Sequence, residues 1–197
     1  MEQKEEKTII RINILQASMT LGTYLGVYII LVYIVFALAI TRLMALSLLS
    51  IPLMMGIPVI AYLLVRRFRE ANSMPFFPFP VSWMITILTF LFATMLSCSV
   101  AYLYLRFIDN GALSAGLLAR WSEYMQASDS ITQTLTDAAQ IEQFKATMDT
   151  YDRYVNWLSS LPPSGLTKQL IQTSLVWGNI LSLIIALIAT KRIRINR

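Results

Sequence analysis

Asp149 and Asp152 stand three residues apart, so on a helix their carboxylates share one face. Such a pair could hold a cation or divide acid and base work. Asp129, Asp137 and Glu142 lie in the same stretch. Cations are interleaved with them, and Lys145, Asp149 and Arg153 alternate in sign at four-residue spacing, the pattern of a solvated helix face. The sequence contains no histidine, which removes the commonest general base and transition-metal ligand. The single cysteine, Cys98, lies within an apolar run and reads as a small packing residue, because a thiolate is disfavoured in such surroundings. One cysteine allows neither an intrachain disulfide nor a CxxC pair. No nucleophile motif, phosphate loop or metal-ligand spacing is present. The residues therefore point away from an enzyme, with no catalytic residue, metal or cofactor expected. A membrane enzyme using Glu142, Asp149 or Asp152 is the rival reading.

The elements that carry these residues are set by lipid. Of 197 residues, 56% are hydrophobic and 14% charged. About a quarter charged is usual for a soluble domain, and a soluble fold of this composition would expose large apolar patches. Arg11 and Arg42 bracket 30 uncharged residues, Arg42 and Arg66 bracket 23, and Lys168 and Lys191 bracket 22. A further apolar run begins after Pro80 and ends at Arg106. A helix of about 20 residues crosses the hydrocarbon, and helix satisfies every backbone polar group there. The spacing predicts four transmembrane helices near 18–40, 44–65, 81–106 and 169–190 within one membrane domain, 1–197. The first run is too long for a signal peptide and is expected to be retained.

Ten of the sixteen basic residues lie in the N-tail, in the link after the second helix and in the C-tail. The positive-inside rule then places both termini in the cytoplasm and segment 107–168 outside. That segment carries seven acids against four bases. Leu117, Trp121, Tyr124 and Met125 share one helical face, and so do Phe144, Met148, Tyr151, Val155 and Leu158. Two amphipathic extracytoplasmic helices joined near 128–130 are expected, with Pro162, Pro163 and Gly165 breaking the chain before the last span. The fold class is thus all-α, a polytopic membrane protein with two amphipathic helices between the third and fourth spans.

Trp83, Tyr102, Tyr104, Trp121, Tyr124, Tyr151, Tyr154 and Trp157 suit the headgroup level as interface anchors. Arg66, Arg67 and Arg69, with Lys191, Arg192 and Arg194, form a basic collar at the inner surface, where anionic headgroups attract them. Membrane lipid is accordingly an expected partner. The basic residues flank apolar runs instead of forming one face, which argues against nucleic acid.

Gly22 and Gly26 form a GxxxG pair, Ala93, Ser97 and Ala101 recur at every fourth position, and so do Ser174, Gly178, Ser182 and Ala186. Small residues let helix backbones approach closely, either within this bundle or against a partner protein or second copy. Pro52, Gly56 and Pro58 lie within the second helix, where proline removes a backbone hydrogen bond. Such a helix can bend, or can line a binding site. Asn179 can hydrogen-bond across helices. No Asp, Glu, Lys or His lies centrally in a span, unlike in ion-coupled transporters and voltage sensors.

The third span closes on Tyr102, Tyr104, Arg106, Phe107, Ile108 and Asp109, a negatively charged amphipathic segment comes next, and the chain ends its last span at 181–192 before a basic tail. This layout resembles the bacterial four-helix membrane proteins of domain of unknown function 4199. The resemblance covers nearly the whole chain in layout, and the stretch 75–83, with three prolines and three phenylalanines, departs from the glycine-rich entry it implies. The resemblance implies a multi-pass protein of the bacterial cytoplasmic (inner) membrane and transfers no catalytic residues. The function expected is a non-enzymatic scaffold or accessory subunit of a membrane complex. The alternatives are a small transporter or lipid-handling protein for a neutral or amphipathic molecule, and a membrane anchor for a lipid-linked glycosyltransferase bound through the tail 191–197.

Overall fold

A computed structural model describes residues 14–42, 44–72, 78–132 and 138–190. These residues form six α-helices and no strand: α1 Ile14–Thr41, α2 Ser47–Ala71, α3 Phe79–Phe107, α4 Ala112–Thr132, α5 Ala138–Ser160 and α6 Pro163–Ala189. A 3-10 turn, Met44–Leu46, leads into α2. Helices α1, α2, α3 and α6 span 28, 25, 29 and 27 residues and are long and apolar enough to cross a membrane.

The helix ends differ from the sequence expectation at three places. α6 begins at Pro163, six residues before the expected 169, because proline fits the first turn of a helix, where its missing N–H costs nothing. Pro162 is its extended N-cap, so Pro162 and Pro163 start the helix, and Gly165 lies inside it. α2 runs on to Ala71 instead of stopping at 65, which puts Arg66, Arg67 and Arg69 on its last turns and not in a link. α4 continues through Thr132, beyond the expected junction at 128–130, and positions 133–137 lie outside the described residues.

α3 is the central element, packed mainly on α1 and α6, while α2 bridges α1 and α6 on one side. The core draws on all four spans: Leu21, Leu25 and Ile29 of α1, Ala61 and Val65 of α2, Ile85 and Phe90 of α3, and Ile185 of α6. Lipid tails are as apolar as leucine, so close packing and hydrogen bonds must hold such a bundle. The GxxxG pair supplies the close approach. A Cβ on Gly22 would lie 2.6 Å from the Cβ of Phe92 and 3.0 Å from the Thr89 carbonyl, and one on Gly26 would lie 3.3 Å from Ala93. Buried hydroxyls add local bonds: Ser18 donates to the Ile85 carbonyl at 3.3 Å across the α1–α3 seam. Large apolar side chains such as Leu48, Met55 and Val176 face outward, as a lipid-solvated bundle requires.

Tyr28 of α1 donates from its hydroxyl to the Leu53 carbonyl of α2 at 2.8 Å. Leu53 lies beside Met54, whose carbonyl loses its helical donor to Pro58. Gly56 leaves room for the phenol, since a Cβ there would meet the Tyr28 hydroxyl. The proline-loosened turn of α2 is thereby stitched to α1.

Candidate functional site

The polar and aromatic residues outside the spans gather on the α4–α5 hairpin, and the chain enters it through a defined corner. After α3 the backbone turns through Asn110 (φ 48°) and Gly111 (φ 83°). Both lie in the left-handed region, which asparagine tolerates and glycine adopts freely. Asp109, only 6% exposed, accepts the Leu113 N–H at 3.0 and 3.2 Å through its two carboxylate oxygens and so caps α4. The Tyr104 hydroxyl lies beside the same carboxylate. One turn further on, α4 rests on the end of α1: a Cβ on Gly116 would sit 3.0 Å from the Ile40 side chain.

Asp109→Ala removes a buried cap, an interaction of about 1 kcal/mol or somewhat more. Hydrogen exchange of the Leu113 amide should speed up about tenfold as the corner opens, with the amides of α3 unchanged. Unchanged exchange at Leu113 would show that the carboxylate does not hold the corner.

The hairpin seam is aromatic. Trp121 stacks on Tyr124 with ring centroids 5.5 Å apart and tilts against Tyr151 of α5 at 6.4 Å. Its indole N–H donates to Asp152 Oδ1 at 2.7 Å, and Asn156 donates to Oδ2 at 2.9 Å. Asp152 is therefore committed to joining α5 to α4. Asp149 and Glu142 are exposed to solvent. Among the described residues no three acids, cysteines or histidines are gathered so as to hold a metal ion. The side chains of Asp129 and Asp137 lie outside the described residues. On the seam side, Val155 is buried and Leu117, Met125, Phe144, Met148 and Leu158 are half-buried, the face that the three- and four-residue spacing marked. Tyr124, Tyr151, Tyr154 and Trp157 remain 46–54% exposed, with Tyr154 and Trp157 in mutual contact at 5.7 Å.

The remaining sequence-derived residues separate by place. Gly22, Gly26, Ala93 and Ser97 are buried in the α1–α3 seam, and Ala101 is half-buried further along α3. Gly178, Ser182 and Ala186 are buried, and a Cβ on Gly178 would meet the Phe90 side chain of α3 at 3.3 Å; Ser174 above them is half-buried. Gly178, Ser182 and Ala186 thus pack inside the bundle, while Ser174 and Gly178 also line the groove between α3 and α6. Trp83 is exposed and stacks on Phe79, Tyr102 is exposed and Tyr104 half-buried. Arg66 pairs with Glu70 at 2.7 Å on the surface and Arg67 is exposed.

Arg69 departs from the collar. It is 6% exposed and turns inward, donating from Nη1 to the carbonyl of Ala189, the last residue of α6. A cation at a helix C-terminus satisfies an orphan carbonyl and complements the dipole. Lys191, Arg192 and Arg194 lie outside the described residues. Sequence reasoning missed the roles of Asp109 and Arg69. The first had a readable signal, an Asp-Asn-Gly run directly after a helix; the second had none, because its partner on α6 lies 120 residues away.

The family described as Protein of unknown function (DUF4199) matches residues 20–191. No curated protein and no solved structure matches the chain.

Proposed function

Because the chain belongs to the family described as Protein of unknown function (DUF4199), whose description carries no activity, we propose a function from the geometry: a non-catalytic scaffold or accessory subunit of a membrane complex. The observation that carries the reading is the exposed aromatic face of the α4–α5 hairpin, held at one end of the bundle by the Asp109 corner and the Gly116–Ile40 contact. Tyrosine and tryptophan offer large contact area with few rotors, and they dominate the energy of protein interfaces. The basic residues favour both termini in the cytoplasm and the hairpin outside, and the bacterial inner membrane is the location that the family resemblance implies.

Gentle purification from the native membrane should yield a partner of fixed stoichiometry. The double substitution Tyr151→Ala and Trp157→Ala should weaken that complex about thirtyfold or more, as loss of interface hot spots does. A chain that elutes alone, or a complex indifferent to both substitutions, would contradict the reading.

A second reading, the handling of a neutral amphiphile, is favoured by two grooves that open sideways: one of about 350 Å³ between α1 and α3, the other of about 270 Å³ between α3 and α6. Copurification of one stoichiometric amphiphile supports it; mixed bulk lipid speaks against it.

A further inference from the structure

The outer surface of α6 presents Gln172, Leu175, Asn179 and Leu183, all exposed and spaced by three, four and four residues. This spacing forms one stripe along the helix. Asn179 lies eleven residues after Lys168 and twelve before Lys191, which places it at the middle of the uncharged stretch. Its backbone carbonyl accepts the Ser182 hydroxyl at 2.8 Å, while its amide has no partner among the described residues. Asn179 lines the α3–α6 groove together with Thr94 and Ser174. Thr94 is 4% exposed, and its hydroxyl also lacks a partner among the described residues.

At mid-bilayer no water is available, and acyl chains neither donate nor accept hydrogen bonds. An amide left facing them is costly. A cover that brings hydrogen-bonding groups to the same depth relieves that cost. A second copy inserted in the same orientation does so by symmetry, because its own Asn179 lies at the same level. An amide both donates and accepts, so it is self-complementary across a twofold axis. We propose that α6 docks against α6 of a second copy about a twofold axis normal to the membrane, with Asn179 bonded to the partner's Asn179 and the α3–α6 groove closed by the contact. The inference is independent of the hairpin reading, since it uses the opposite kind of surface and a different partner.

The test is energy transfer between donor- and acceptor-labelled full-length chains in lipid vesicles at graded protein-to-lipid ratios. The wild type should show transfer that saturates at a dimer. Asn179→Leu should raise the dimer dissociation constant about tenfold, and Asn179→Gln should change it far less. Leucine on a lipid-facing position leaves the fold intact, which far-UV circular dichroism verifies. In a Cys98→Ser background, Asn179→Cys should also cross-link to its symmetry mate on oxidation. The proposal is overturned if wild-type transfer stays at the level of chance proximity, or if the Asn179→Leu titration superimposes on the wild type.

Discussion

Gly22→Val should lower the unfolding free energy of the bundle by about 3 kcal/mol, the upper end of the cost of overpacking a tight seam. The cause is local and geometric. Any Cβ at this position would press to 2.6 Å from the Phe92 Cβ, an atom fixed to the α3 backbone, and to 3.0 Å from the Thr89 carbonyl. Neither neighbour can swing aside as the end of a long side chain would, so α1 and α3 must separate. Separation would pull Ser18 away from the Ile85 carbonyl as well. Gly178→Ala meets Phe90 only at 3.3 Å and its ring can yield, so its cost should stay below about 1.5 kcal/mol. Detergent-driven unfolding in mixed micelles, monitored by circular dichroism, measures both. Equal effects at the two glycines would contradict the seam geometry.

Arg69→Met should cost about 2 kcal/mol on the same scale, the worth of a charge-assisted hydrogen bond in a buried place. Methionine keeps the aliphatic stem and removes the guanidinium, so the Ala189 carbonyl at the end of α6 loses its donor. The end of α6 should loosen from α2, with faster exchange of its last amides. Arg66→Met is the matched control. Its guanidinium forms a pair with Glu70 in which both side chains are about half exposed, and such pairs contribute at most about 1 kcal/mol and often nothing. If the two substitutions cost the same, the inward placement of Arg69 is wrong.

Four spans were legible because uncharged length is itself the signal, and α1 and α3 begin and end within a few residues of expectation. The errors have physical reasons. Charges at 66–69 suggested a link, yet a helix continues through arginines when one of them caps a neighbouring helix. Consecutive prolines suggested a break, yet at a helix start they are favourable. In the hairpin, three- and four-residue spacing marked most of the seam, although Tyr124 and Tyr151 from the same faces stay exposed. The spans offer less contrast between polar and apolar sides. They are apolar on most of their surface, so in α6 the side that meets α3 was marked only by its small residues at every fourth position. Small residues at every fourth position allowed packing within the bundle or against a partner, and Gly178 does pack on Phe90 within the bundle. Asn179 was visible as a polar residue, but its outward direction depends on where α3 lies.

A scaffold that works through its hairpin needs four crossings that leave the aromatic face on the outer side of the membrane and the end of α2 on the inner side. In a Cys98→Ser background, single cysteines replacing Ser122 of α4 and Arg67 of α2, both exposed positions, report this directly. A membrane-impermeant maleimide applied to intact cells should label the cysteine at 122 and leave the one at 67 unreacted until the cells are lysed. Labelling of both in intact cells, or of 67 alone, would contradict it.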